Sequence, residues 1–280
     1  MTNQLFNETV SPEQLTRYAK LIYDRTGIAI SPQKRTLLSN RLRRRLRETG
    51  IDGYDAYFKH LSKLRDTDPE WDAFLQEITT HETYLFRDEA HWKWFRERFL
   101  VDMADAARRG TRPRTLRILS AACSTGDEPF TMATCIADCL PTPSQWKIDI
   151  LGTDIGVGAL EEARAATFNE RAMRLVPEDC RRRFFIKSPT ANVWTAKPAL
   201  TAMVRFRQHN LMDALAERPF DLVVVKNVLI YFDKPSKQKV LEHIRKVIVP
   251  GGLLVAGAAE GVSDLLGDLE RIEPWLYRKQ

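Results

Sequence analysis

The run Phe220-Asp221-Leu222-Val223-Val224-Val225-Lys226-Asn227 constrains this chain more than any other segment. Successive side chains on a strand point to opposite faces, so four aliphatics in a row demand burial on both faces, the situation of a strand inside a parallel sheet. Parallel neighbours require a crossover connection, usually a helix. The sequence supplies such pieces. LRILSAA (116–122) is an apolar run, CSTGDEP is a turn with one glycine, and FTMATCIADCL is helical by period. KIDILGT (147–153) predicts a second strand ending at Asp154, followed by a helix from Gly158 to Ala166. After the 220–227 run come a helix over Pro235 to Val249, the turn Pro250-Gly251-Gly252, and a strand LLVAGAA. This alternation predicts a doubly wound α/β domain.

In such sheets ligands lie outside the carboxyl ends of the strands, so the 123–129 loop and Asp154 are expected to face one crevice. A carboxylate there suits the hydroxyls of a ribose, and Gly126 is expected to let the backbone approach a ligand. The alternative for Asp154 is a cap on the following helix. Gly156-x-Gly158 does not make a dinucleotide fingerprint, because it follows the second strand and position 161 is Glu. The chain contains no GxxxxGK[ST] and no GxSxG, which argues against nucleotide hydrolysis and serine-hydrolase chemistry.

At 280 residues the chain has room for about two domains. The N-terminal third reads as helical. Ser11-Pro12-Glu13 starts a helix carrying Leu15, Tyr18, Ala19 and Ile22 and ending at Gly27, and Ser31-Pro32 leads into KRTLLSNRLRRRLRETG, stopped by Gly50. Tyr54, Tyr57, Phe58 and Leu61 mark a third helix, and Trp71, Phe74, Leu75 and Ile78 a fourth. A further helix runs through Trp92, Trp94, Phe95, Phe99 and Met103, and Arg108 to Arg114 reads as a connector. These signals divide the chain into a basic helical domain (1–80), a linker segment with its helix (81–113) and an α/β domain (114–280).

The net charge of +6 is concentrated in the second helix. Leu37, Leu38, Leu42 and Leu46 form an apolar stripe, while Lys34, Arg35, Arg41, Arg43, Arg44, Arg45 and Arg47 crowd the other faces with no acid until Glu48. Such a helix is an electrostatic landing surface for an acidic partner, either nucleic acid phosphate or a glutamate-rich protein helix, unless it is simply a solvated face. The longest aliphatic run has four residues, far below the roughly 20 of a membrane span. MTNQLFNETV has neither a basic start nor an apolar stretch, so no secretory signal is expected and the protein is expected in the cytoplasm. Cys123, Cys135, Cys139 and Cys180 include no CxxC pair and read as reduced thiols, and no metal site is expected.

Taken together, ITTHETYLFRDEAHW (78–92), LSAACSTGDEPFTMA (119–133), GTDI (152–155), HNLMD (209–213), KNVLIYFD (226–233) and GGLLVAGAAE (251–260) resemble the chemotaxis receptor glutamate methyltransferases, the CheR family. The resemblance spans essentially the whole chain in order. It implies a class I, Rossmann-like methyltransferase domain behind an all-helical domain, with a small antiparallel β-subdomain inserted at about 167–206. It further implies S-adenosylmethionine as cofactor, S-adenosylhomocysteine as product, and the cytoplasmic domain of a chemoreceptor as partner. A monomer without DNA partners or membrane insertion is expected.

Carried over by motif, cofactor contacts fall to His81, Thr83, Arg87, Glu128, Asp154, Asn210, Leu211, Lys226 and Asn227, and the catalytic roles to Arg87 and Tyr231. Receptor contacts would fall to Arg41, Arg43, Arg44, Arg45 and Arg47. The family usually has Asn where His81 stands and Arg where Lys226 stands, so contacts by those two side chains are the least transferable. Taken alone, Tyr231 would read as an aromatic packed beneath a strand end. Some members use the β-subdomain to dock a receptor's C-terminal pentapeptide through a glycine-rich turn. Residues 186–206 contain no glycine, so no dependence on that tether is expected.

The chemistry agrees with the residues. Methyl transfer is an in-line displacement from a sulfonium to an oxygen, and a glutamate carboxylate is already ionised at pH 7. No general base is required. The site needs alignment, desolvation and a group to hold the carboxylate. An RNA or small-molecule methyltransferase on the same fold is the runner-up, and a non-catalytic cofactor-binding scaffold is the alternative outside enzymes.

Overall fold

The computed structural model describes residues 9–65 and 68–280. The reading of no secretory signal rests largely on residues 1–8, outside the described residues. Four helices form the N-terminal unit: α1 (Pro12–Thr26), α2 (Arg35–Thr49), α3 (Tyr54–Leu61) and α4 (Pro69–Ile78). Ser11 and Gln14 close a capping box at the start of α1, and Gly27 ends it in the left-handed conformation. A 3-10 turn over Pro32–Lys34 precedes α2, and Ser31 makes no side-chain cap there. Tyr18, Ile22, Leu42, Tyr57, Leu61 and Phe74 fill this unit's core.

α5 (Glu89–Trp94), a π-helical turn (Phe95–Phe99) and α6 (Leu100–Arg108) lead to the sheet. Leu85, Phe86, Trp92, Phe95, Phe99 and Leu100 share one core with Leu116, Ile118 and Leu222, so the 85–100 segment packs on the α/β layer. There follow β1 (Thr115–Ala121), α7 (Asp127–Cys139), β2 (Lys147–Asp154), α8 (Val157–Ala165), β3 (Thr167–Asn169), α9 (Glu170–Met173) and α10 (Glu178–Phe184). β4 (Phe185–Lys187), β5 (Val193–Ala196), α11 (Pro198–Thr201), β6 (Val204–Gln208), β7 (Phe220–Val225), α12 (Lys234–Lys246), β8 (Ile248–Ala256), β9 (Glu270–Glu273) and β10 (Leu276–Arg278) complete the chain.

The main sheet has the order β6-β2-β1-β7-β8-β10-β9. Its first five strands are parallel, and β10 and β9 close one edge antiparallel. β7 lies at the centre with both faces buried, as its sequence demands. Leu222 and Val224 enter one core, Val223 and Val225 the other. The chain moves outward from β1 through β2 to β6 and then returns to β7 beside β1, so the switch point lies between β1 and β7.

A separate antiparallel sheet, β3-β5-β4, forms the inserted subdomain. The expected insertion to residue 206 is too long by a few residues, because β6 starts at Val204 and pairs with β2 in the main sheet. Pro250-Gly251-Gly252 lies within β8 rather than before it. Residues 249–252 bulge out, since Phe220 pairs with Ile248 but Leu222 with Leu253. Among the described residues no helix is long and apolar enough to cross a membrane, and no cluster of potential metal ligands occurs.

Candidate active site

Three non-glycine residues adopt left-handed backbone at the switch point: Ala122 (φ 61°), Ser124 (φ 52°) and Asn227 (φ 58°). Such conformations cost about 1–3 kcal/mol each and persist only where the surroundings enforce them. Here the enforcing groups are carboxylates. Asp154, at the end of β2, accepts from the Ser124 amide at 2.8 Å and the Gly156 amide at 2.9 Å. It both caps the following turn and ties down the 123–126 loop, leaving further lone pairs for a ligand. Glu260 does the same on the other side. Fully buried, it accepts from the Asn227 amide and, at 3.1 Å, from the Ile230 amide. Burial pushes the Glu260 carboxyl up, against those backbone hydrogen bonds.

Two adjoining cavities open here and share Thr80, Ala122, Ser124 and Asn227. The larger is walled by Asp154, His81, Asn210, Leu211 and Tyr231, with Lys34 and Arg41 reaching in from the helical unit. The smaller is walled by Thr83, Arg87, Glu128 and Lys226. A carboxylate thus stands in each cavity, Asp154 in one and Glu128 in the other. Glu128 accepts from Ser120 Oγ at 2.7 Å. This pair of acceptors fits S-adenosylmethionine, whose ribose diol and ammonium group each require an acceptor.

The residues expected to contact a cofactor all line one or the other cavity. The Asn210 side chain turns away to donate to the Arg25 carbonyl at 2.7 Å, which leaves its backbone for the cavity. The His81 ring lies 2.6 Å from Thr79 Oγ1 and 3.5 Å from Ser124 Oγ. Burial holds its imidazole below the usual value, against Asp154 and Glu162. Arg87 donates to the Glu82 carbonyl at 3.1 Å and its guanidinium stands 5.7 Å from the Tyr84 ring centroid. The other conspicuous cation on that ring is Arg174, at 3.4 Å.

Tyr231 sits on the 3-10 turn Leu229–Tyr231 and is fixed by the helical unit. Its carbonyl accepts from the Ala29 amide at 2.9 Å, and Lys34 Nζ lies 5.3 Å from its ring centroid. Tyr23 reinforces that junction by donating to Asp233 at 2.9 Å. The N-terminal unit is therefore a wall of the site.

Three sequence expectations need correction. Gly126 lines neither cavity. A Cβ there would lie 2.9 Å from Ala163 Cβ, so the glycine serves its positive φ (87°) and the packing of α7 against α8. Arg45 leaves the basic face of α2. It is 8 % exposed and pairs with Glu70 at 2.6 Å and with Glu48, while Tyr57 donates to Glu70 at 2.5 Å. Leu37 leaves the apolar stripe and stands 46 % exposed at the larger cavity. Arg41 bonds the Ile78 carbonyl and donates to Thr80 Oγ1 at 2.9 Å, Arg44 pairs with Glu77 at 3.3 Å, Arg43 bonds Asn40, and Arg47 donates to the Arg43 carbonyl at 3.3 Å.

Glu260, Asp88, Thr80 and Ser124 were not foreseen, although all lie inside the segments that carry the resemblance. Gly156 and Gly158 also gain a reason. A Cβ at Gly156 would meet Gln76 Oε1 at 2.6 Å and His81 at 2.9 Å, and Gln76 accepts from the Ala159 amide at 3.2 Å. The glycines admit α4 against α8.

Asp127 gives a pH-dependent signature. It is 2 % exposed, accepts from Thr125 Oγ1 at 2.7 Å, and leaves Oδ1 without a partner. Burial pushes its carboxyl up to about 6. The folded state then holds this proton more tightly than the unfolded chain. Its contribution is fully present below the ordinary carboxyl value and lost as pH rises to about 6, a difference of about 3 kcal/mol at 1.36 kcal/mol per pH unit. Asp127→Asn should therefore be more stable than wild type by about 1–3 kcal/mol at pH 7.5, with the gap closing near pH 4. Urea titrations at the two pH values test this, and a variant less stable than wild type at pH 7.5 would refute it.

Comparison with known proteins agrees with this geometry. Residues 13–79 match the model of the CheR methyltransferase all-alpha domain, and residues 81–274 that of the CheR methyltransferase SAM binding domain. A chemotaxis protein methyltransferase of Salmonella typhimurium is 33% identical over 271 residues, covering 95% of this chain and 88% of its own. That of Escherichia coli is 33% identical with 95% and 89% covered, and chemotaxis protein methyltransferase 2 of Pseudomonas aeruginosa is 34% identical with 92% and 89% covered. A helical unit walling a crevice at the β1/β7 switch point, a carboxylate in each of two adjoining cavities, and matches along nearly the whole length lead to one assignment: the chain belongs to the CheR methyltransferase family.

Proposed function

We propose that this chain is a protein-glutamate O-methyltransferase that moves a methyl group from S-adenosylmethionine to glutamate side chains on the cytoplasmic helices of a chemoreceptor. The observation that carries this reading is the pairing of Asp154 and Glu128 in adjoining cavities with Arg87 and Tyr231 at the two flanks of Asn227. When bound, the cofactor supplies an electrophilic methyl on a sulfonium. The residues do the rest by position. Glu128 and Asp154 hold the ammonium and the ribose, and backbone at Asn210, Leu211 and Asn227 lines the nucleoside. Thr83 lines the cavity on the Glu128 side.

Arg87 offers a fork for the substrate carboxylate, and the Tyr231 hydroxyl orients the nucleophile or the methyl group. No proton needs to move, because the nucleophile is already an anion. Arg41, Arg43, Arg44 and Arg47 face an acidic receptor helix, with Arg45 holding α2 to α4 beneath them. The enzyme acts as a cytoplasmic monomer, without a pentapeptide tether.

Transfer of methyl label from the cofactor to a purified receptor cytoplasmic fragment tests the reading. Label released as methanol by base marks a glutamate ester. The same yield is expected from a fragment lacking the C-terminal pentapeptide. Label on RNA, or cofactor binding without label on any receptor fragment, would overturn the assignment.

A further inference from the structure

Lys226 is the buried cation of this site. Its side chain is 4 % exposed, and its ammonium lies 2.9 Å from Asp88, 3.6 Å from Glu128 and 5.2 Å from the Trp92 ring centroid. The closest partner is thus on the linker that carries Arg87, and the second is a carboxylate that faces the cofactor side. We infer that the buried Lys226 ammonium and the more exposed Asp88 carboxylate form a pair that positions Arg87 for methyl transfer, so that Lys226 acts on the linker rather than on the cofactor.

The backbone around Arg87 shows why a clamp is needed. Phe86 (φ 58°) and Asp88 (φ 65°) are both left-handed, so Arg87 sits between two strained residues. Neither strain would persist unaided. On one side the Phe86 amide donates to Thr131 Oγ1 at 3.0 Å and the Leu85 amide to the Ala172 carbonyl at 3.1 Å. On the other side, the Trp92 indole donates to the Arg87 carbonyl at 2.5 Å and the Asp88 carboxylate meets Lys226. Lys226 follows directly on β7, so the pair couples the linker to the central strand of the sheet.

The charges facing this pair are consistent with it. Burial alone would raise the Asp88 carboxyl, but Lys226 holds it below the usual range, and burial with Lys226 lowers the His91 imidazole to about 4. At neutral pH the cluster therefore contains Lys226, two carboxylates and a neutral His91. Removing Asp88 leaves the buried Lys226 ammonium short of its nearest partner, and removing Lys226 frees the half-exposed Asp88 carboxylate from the sheet, whereas the intact pair fixes geometry. The linker also carries the Glu82 carbonyl to which Arg87 donates, so a displaced linker displaces the guanidinium.

This inference rests on the reading of Arg87 as the group that holds the substrate carboxylate. The test compares Asp88→Asn, Lys226→Met, Lys226→Arg, Arg87→Ala and Arg87→Ala/Asp88→Asn in the full chain. Asp88→Asn and Lys226→Met should each lower kcat about tenfold or more while changing S-adenosylhomocysteine affinity less than about threefold. Lys226→Arg should recover most of the rate. In the Arg87→Ala background, Asp88→Asn should cost less than about twofold, because a positioning residue has nothing left to position.

Independent multiplication of the two losses, or a loss of S-adenosylhomocysteine affinity as large as the loss of rate, would overturn the inference. Hydrogen exchange of the 80–92 amides needs no receptor and should quicken in Asp88→Asn. Unchanged exchange would also overturn it. A wild-type chain inactive on receptor fragments would defeat the functional reading alone, and exchange with S-adenosylhomocysteine affinity would then decide the pair separately.

Discussion

Arg87→Ala should lower kcat for methyl transfer to a receptor fragment by about 10²–10³-fold, the size expected when one charged donor to a reacting group is lost. The reason lies in what Arg87 does not do. Among the described residues it makes none of the ion pairs that occupy Arg45, Arg112 or Arg117, and its guanidinium donates only to the Glu82 carbonyl on its own linker. A guanidinium at a cavity wall with most of its donors unused is suited to an incoming carboxylate. Arg87→Lys should recover only part of the rate, because an ammonium keeps the charge but loses the planar fork. S-adenosylhomocysteine affinity should fall less than tenfold, since Glu128 and Asp154 remain. Activity within threefold of wild type would remove Arg87 from the mechanism.

The parts of the fold legible in the sequence are those set by local pattern. Val223 and Val225 face one core and Leu222 and Val224 the other, which is why four aliphatics in a row disclosed a central strand. Asp154 was legible because its place at a strand end carries its meaning. The antiparallel edge was not. β9 reads ERIE, all four residues exposed, and nothing in so short and charged a segment announces a strand. The start of β6 falls within the insertion that the resemblance places at about 167–206, and only its pairing with β2 puts it in the main sheet.

Arginine patterns mislead for a related reason. Arg45 stands in the same arginine run as Arg44, and its inward turn depends on Glu70, a residue 25 positions away on another helix. Gly126 illustrates the same limit. Its positive φ was foreseeable from a tight strand-to-helix turn, but its neighbour Ala163 belongs to the next crossover unit.

Glu260 is the furthest extension of that argument and the site of the second large effect. It ends an apolar run, 30 to 33 residues from the amides it accepts, so its partners are invisible locally. Glu260→Ala should destabilise the α/β domain by about 2–5 kcal/mol, because the Asn227 and Ile230 amides would each lose a buried acceptor at about 1–3 kcal/mol. The loss should not stop at stability. Asn227 is held left-handed by this carboxylate, and Tyr231 lies one residue beyond Ile230, so the wall shared by the two cavities and the tyrosine proposed to orient the reaction would relax together. S-adenosylhomocysteine affinity and kcat should therefore fall together, in contrast to Arg87→Ala. Glu260→Gln keeps one carbonyl acceptor and should fall between the two. Urea titration followed by tryptophan fluorescence, with calorimetric binding on the same samples, measures both consequences. A loss of stability below 1 kcal/mol would mean that the 226–231 segment keeps its conformation without Glu260, and the enforced backbone at Asn227 would then need another cause.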